Sequence, residues 1–197
     1  MAPLLLEVAR RHPRLELEVS FSDRRVDLVE EGFDLAVRGG PLADSAGLVS
    51  RRLGTQVMVV CGAPSYLAER GRPESLADLA RHECVGYGRK SYVRPWRFPD
   101  AEGRMQEAPI TSRVRFDDTE AIAVAAVAGA GLALLPSWLV ADRMRSGELV
   151  RVLEGVPGMS CEIRAIWPQA RHLPSRVRVA VNALVARTPA LLAVARG

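Results

Sequence analysis

Apolar positions along the chain recur at two spacings, every second residue or every third to fourth, and each switch marks an element boundary. From Pro3 to Arg11 the spacing is helical: Leu4, Leu5, Val8 and Ala9 form one stripe before His12-Pro13 stops it. LELEVSF then alternates strictly, with Leu15, Leu17, Val19 and Phe21 on one face and Glu16, Glu18 and Ser20 on the other. That pattern predicts a strand covered on one side only, at a sheet edge or a subunit contact. Asp23 is placed to cap a helix that runs to about Glu31 and closes at Gly32, and FDLAVR follows as the next strand. Strand, short helix and strand with tight joints predict a parallel βαβ unit with a right-handed crossover.

After Arg38, GGPLADSAG is turn-forming throughout, a loop at the carboxyl end of a strand, where open α/β sheets bind ligands. VMVVCG (Val57 to Gly62) is a continuous apolar run, hence a strand buried on both faces. Ser75 and Asp78 form a capping box opening a short helix, and Cys84 to Tyr87 reads as a strand. Trp96 to Phe98, the turn DAEGR and the segment near Ile110 to Phe116 predict an antiparallel hairpin. A helix over Thr119 to Ala128 leads into GLALLP as a buried strand, and Ser137 is placed to cap a helix ending at Gly147. LVRVL and IRAIWP (Ile163 to Pro168) add two strands, and Pro174-Ser175 opens a final helix with Val177, Val181, Leu184 and Val185 inward. The alternation predicts an α/β protein with no internal repeat or long linker, so a second lobe would be inserted rather than appended.

Within this order AVAGAGLALLP (Ala126 to Pro136) looks like a dinucleotide loop, but a nucleotide fingerprint runs strand, glycines, helix. Here a helix comes first, a strand follows, and Leu134 stands where a third glycine belongs. Gly129 is placed to end the helix in a left-handed conformation, and Gly131 to give the strand a side-chain-free entry.

Composition narrows the class. A length of 197 residues suits one generous domain or two small lobes, and 48% hydrophobic with 25% charged residues argues against disorder. The net charge of +4 permits an acidic partner, yet the arginines form no run longer than two, so solvated surface is the better reading. Cys61, Cys84 and Cys161 are far apart and odd in number, which fits a reducing compartment. MAPLLLEVARRHP is no secretory leader and no apolar run reaches membrane-spanning length, so the cytoplasm is expected.

No catalytic, metal or cofactor motif emerges. There is no GxSxG, HExxH or P-loop, and His12, His82 and His172 each flank a helix end or a proline. Asp117-Asp118 is the sharpest acidic feature; helix capping explains it without chemistry, and ligand contact stays open. The expectation is a protein that is not an enzyme and holds neither metal nor cofactor.

The order of these segments resembles the effector-binding domain of LysR-type transcriptional regulators over essentially the whole chain. The likeness is carried by His12 to Leu53, by VCGAPSYLAERGRPESLADLARHECVGYG, by Trp96 to Phe98, by FDDTEAIAVAAVAGAGLALLPSWLV and by IWPQARHLPSRVRVAVNALV. It implies an α/β, type II periplasmic-binding-protein-like fold, two α/β lobes joined by two crossover strands with a ligand cleft between. Lobe one would be residues 1–62 and 160–197, and lobe two residues 63–159. Effector contacts implied by matching are Arg38, Gly39 and Gly40 from lobe one, and Tyr87, Phe116, Asp117, Asp118, Thr119, Gly129, Gly131 and Leu132 from lobe two. The effector would be a small carboxylate or an aromatic, although Asp117 and Asp118 weaken any preference for anions. Homo-oligomers would pair through Pro3 to Arg11 and Leu15 to Phe21.

Two departures from the family pattern stand out. Members begin with a winged helix-turn-helix and a linker helix that this sequence lacks, so DNA would be reached only through a domain outside it. The family domain also opens with a strand before the first helix, whereas this chain starts at the helix. Leu15–Phe21 and Phe33–Arg38 would then lack a shared neighbour, which implies a start cut short and open edges that favour a dimer at least. The competing reading is a solute-binding protein of the same fold serving a transporter; an enzyme on this fold is a third.

Overall fold

The computed structural model describes residues 2–21, 26–40, 47–89 and 92–193, with side chains from 4 to 192 within those ranges. In chain order the elements begin with α1 (Ala2–Arg11), β1 (Ala36–Gly39), β2 (Leu48–Gly62), α2 (Pro64–Arg70), a 3-10 helix (Leu76–Arg81), β3 (Glu83–Arg89), β4 (Tyr92–Val93) and β5 (Arg97–Pro99). They continue with β6 (Met105–Glu107), β7 (Thr111–Phe116), α3 (Thr119–Val127), β8 (Ala133–Pro136), α4 (Ser137–Arg145), β9 (Val150–Val152), β10 (Ser160–Pro168) and α5 (Ser175–Ala193). Two compact units result, one of Met1–Gln56 with Cys161–Val194 and one of Val57–Ser160. β2 passes from the first into the second.

In the first unit the strand order is β1, β10, β2. Leu4 and Val8 of α1 are buried, as the helical stripe predicts, and Leu4 joins Leu53, Ile163, Ala165 and Leu184 in one apolar cluster. Val177, Val181 and Leu184 of α5 face inward, and Glu7 of α1 pairs with Arg187 of α5 at 3.1 Å.

The expected βαβ unit does not form. Leu15 to Phe21 has no ladder partner among the described residues, and Leu17 (37%), Val19 (44%) and Phe21 (73%) stay exposed. Strict alternation fixes a two-faced extended segment, but a strand also needs a neighbour to receive its N–H and C=O groups. Asp23 lies outside the described residues, and residues 26–32 make a single turn rather than a helix. Asp27 starts that turn by accepting the Val29 and Glu30 N–H groups, and Gly32, at φ 72°, closes it as predicted. β1 runs antiparallel to β10, with Ala36 opposite Ile166 and Gly39 opposite Ile163, and is not part of a parallel crossover.

The second unit holds the larger core. β3 and β7 are parallel, with Tyr87 opposite Phe116, so Ile110 to Phe116 is not the far arm of the predicted hairpin. β5 instead pairs with β6 across the Asp100 to Arg104 turn, which Asp100 ties by accepting the Arg104 N–H at 2.8 Å. β8 and β9 both run antiparallel to β2. Ser75 and Asp78 form the expected capping box, here opening the 3-10 helix. Ser137 is the first residue of α4 and makes no cap bond, because Pro136 occupies the capping position.

The turn after α3 is built as its glycines predict. The Gly129 N–H reaches the Ala126 carbonyl and the Ala130 N–H the Ala125 carbonyl, both at 3.0 Å, with Gly129 at φ 78°. These are the paired bonds of a Schellman stop. Gly131 then passes so close to β3 that a Cβ there would lie 2.4 Å from the Glu83 carbonyl oxygen. Beyond it the Leu132 N–H donates to that carbonyl at 2.9 Å, and the Val85 N–H to the Leu132 carbonyl at 2.7 Å. Glu83 is fixed from the other side as well: its N–H donates to the Tyr66 hydroxyl at 2.9 Å, and that hydroxyl lies 3.1 Å from Nδ1 of buried His82.

Gly131→Ala combines steric overlap with a left-handed backbone and should cost roughly 2–4 kcal/mol. Denaturant unfolding measures this, and a loss within about 0.5 kcal/mol, as at an ordinary surface position, contradicts the close approach. His82 gives a pH signature. Burial holds its pKa below the ordinary 6.5; Asp78 opposes that shift, while Arg81 and Arg70 add to it. The unfolded chain therefore binds the proton more readily, so this contribution is complete above pH 6.5 and is lost as pH falls from there through the lower folded value. Asp78, held low by bonds from Ser75 and Glu74, acts only below 3.8. Melting temperature should fall between pH 6.5 and about 5 in the wild type and flatten in His82→Gln; equal slopes would contradict the assignment.

Candidate functional site

Because β3 and β7 are parallel, their carboxyl ends finish side by side, and the segments that follow them meet. From β3 come Tyr87, Gly88 and Arg89; from β7 comes Phe116, with Asp117 directly after it; α3 starts at Thr119. Gly88, Arg89, Arg113, Arg115, Phe116 and Asp117 line an open depression of about 530 Å³. Its three guanidinium groups are each engaged. Arg113 lies 3.4 Å from Glu83, Arg115 donates to the Ser112 carbonyl at 3.2 and 3.1 Å, and Arg89 lies 3.9 Å from Asp117. The described lining thus holds three guanidinium groups and one carboxylate, Asp117, and is rich in positive charge.

The two aspartates have different tasks. Asp118 is the N-cap of α3, its Oδ1 accepting the Ala121 N–H at 2.7 Å, whereas Asp117 turns toward Arg89. Tyr87 is overlain by the Arg94 guanidinium, 4.1 Å from the ring centroid, and its carbonyl accepts the Arg94 N–H at 2.8 Å. Thr119 is half-buried in the first turn of α3.

The structure thus brings Tyr87, Phe116, Asp117, Asp118 and Thr119 together. Gly129, Gly131 and Leu132 lie at the other end of α3: Gly131 and Leu132 are buried, and Leu132 belongs to the core around Val60, Leu79 and Trp96. None of the three lines the depression. Arg38, Gly39 and Gly40 belong to the first unit, where Arg38 donates to the Val26 carbonyl at 2.7 Å and the Gly40 N–H to the Glu162 carbonyl at 3.1 Å.

Sequence reasoning missed Arg89, Arg113 and Arg115. The available signal was the alternation Arg113-x-Arg115 entering Phe116-Asp117, which places both arginines on one face of a strand. It was hidden because arginine recurs along the whole chain. Burial pushes the Cys61 and Cys84 thiols up to about 12, so neither is a thiolate at neutral pH. Among the described residues no group of three or more His, Cys, Asp and Glu side chains is placed to hold a metal, and no helix is long and apolar enough to cross a membrane.

Residues 1–189 match the family described as LysR substrate binding domain. The chain is 34% identical over 177 residues to an uncharacterized HTH-type transcriptional regulator of Haemophilus influenzae, covering 90% of this chain and 61% of that protein. It is also 34% identical over 180 residues to the regulator YhjC of Escherichia coli, covering 91% and 60%. The chain therefore spans about three fifths of the length of these curated relatives. The regulatory domain of CrgA, a LysR-type transcriptional regulator from Neisseria meningitidis, superposes with a TM-score of 0.81 at 28% identity, over 94% of this chain and 90% of that one. The effector domain of AmpR from Pseudomonas aeruginosa does so with 0.73 at 27% identity, over 98% and 89%. Such regulatory domains have the type II periplasmic-binding-protein-like fold, and this chain shares it.

Proposed function

This chain belongs to the LysR substrate binding domain family, and from that premise we propose that it is the effector-sensing part of a transcriptional regulator. The observation that carries the reading is the basic depression at the carboxyl ends of β3 and β7. Three arginines clustered there attract a small anion, and Phe116 offers an apolar wall beside them. The effector that fits is a small carboxylate with an apolar or aromatic portion. Beside the arginines, its contacts in the second unit are Tyr87, Phe116 and Thr119; Asp117 and Asp118 are the carboxylates it competes with, and Gly129, Gly131 and Leu132 shape the far end of α3. Free N–H groups in the first turn of α3 add a favourable field, reduced by the Asp118 carboxylate that already occupies it.

Regulation then consists of a ligand favouring one arrangement of the domain, passed through a homo-oligomer to a DNA-binding domain outside these residues. The oligomer contact is assigned to Pro3–Arg11 and Leu15–Phe21. Supporting it, Leu6, Leu17, Val19 and Phe21 are exposed apolar side chains, and the extended segment has backbone groups available for pairing. The curated relatives named above are regulators, and the transporter-linked reading draws no support from them.

A titration series of small carboxylates and aromatics, followed by melting temperature, tests the proposal. At least one compound should stabilise saturably, and the gain should shrink in Arg89→Ala or Thr119→Ala. A bound compound indifferent to both substitutions would place the site elsewhere.

A further inference from the structure

We infer that Asp117 is a built-in substitute for the effector's anionic group: it rests against Arg89 and must yield that position when a ligand binds. This rests on the effector reading above and deepens it. The contacts in the depression are unequal. Arg115 is held by two hydrogen bonds to the Ser112 carbonyl, and Arg113 lies 3.4 Å from Glu83, a residue whose backbone is pinned on both sides. Arg89 and Asp117 are 3.9 Å apart, outside hydrogen-bond range, and their side chains are 79% and 62% exposed. A pair of that kind contributes little to folding.

Asp117 is also spare where the helix is concerned, since Asp118 alone caps α3. It is therefore free to leave. An incoming carboxylate or phosphate can take a guanidinium through two parallel N–H···O bonds, a seating that Asp117 does not achieve. Swinging Asp117 aside raises the local charge by one unit, so a group that carries two negative charges, as in a dicarboxylate or a phosphorylated small molecule, profits more from the exchange than a monoanion. Asp117 thus lowers affinity for every anion and selects against weak monoanions.

Equilibrium dialysis with labelled sulfate at fixed ionic strength tests this without knowing the effector. The wild type should retain sulfate saturably, and Asp117→Asn should bind it about 2- to 5-fold more tightly. Glu107→Gln removes an exposed carboxylate from the β5–β6 hairpin, where Glu107 pairs with Arg97, and should match the wild type. In an Arg89→Ala background, Asp117→Asn should bring no gain. Equal affinity in wild type and Asp117→Asn, an equal gain in Glu107→Gln, or no sulfate retention in any form would each overturn the inference. The outcomes separate the two readings. The expected sulfate pattern with no saturable carboxylate or aromatic sinks the effector proposal alone; a saturable effector with unchanged sulfate binding in Asp117→Asn sinks the role of Asp117 alone.

Discussion

Glu83 is where the core and the site of the second unit are joined. Its N–H is given to the buried Tyr66 hydroxyl, its carbonyl receives the Leu132 N–H, and its carboxylate faces Arg113. The second of these bonds exists only because Gly131 has no side chain, since a Cβ there would collide with the same carbonyl. Any other residue would push the turn after α3 away from β3 and open the Leu132–Val85 bond beyond it. The stitch fixes the start of β3, and β3 carries β7 alongside in parallel. The depression lies at the far end of those two strands, so a glycine outside it sets its walls.

The electrostatics follow from that placement. Alternation along β7 sends Arg113 and Arg115 to one face, and Arg89 leaves β3 beside Asp117, at the end of β7. Each cation has a local counterpart, which keeps an exposed cluster of like charges from being costly. These counterparts differ in how firmly they hold, and that difference separates a surface that is merely neutralised from one able to exchange an internal anion for an external one.

Much of this is legible in the chain where the signal is local. Gly129 and Gly131 announce a helix stop and a close approach, Ser75 and Asp78 announce a cap, and Leu4, Val8, Val177 and Leu184 declare their inward faces by spacing alone. The reading fails where an element depends on a partner distant in sequence. Leu15 to Phe21 has the alternation of a strand but finds no neighbour among the described residues, and FDLAVR pairs antiparallel with β10, more than 120 residues later. Phe116 likewise joins β3 rather than the nearer hairpin. At the candidate site, the family resemblance implies Tyr87, Phe116 and Thr119, but the sequence leaves open which aspartate caps the helix. It also gives no means of picking three arginines out of so many, because their common feature is the meeting of two strand ends.

We propose that a small anion is sensed at the carboxyl ends of β3 and β7. The most direct measurement is a two-dimensional NMR titration of the ¹⁵N-labelled chain with a small aromatic dicarboxylate such as phthalate, followed at the arginine side-chain and backbone N–H signals. Saturable shifts should concentrate on Arg89, Arg113, Arg115, Gly88 and the amides of Phe116 to Thr119. Saturable shifts confined instead to Arg11–Leu15 and Ser175–Val179, which line a second depression in the first unit, or the absence of any saturable shift, would contradict the account.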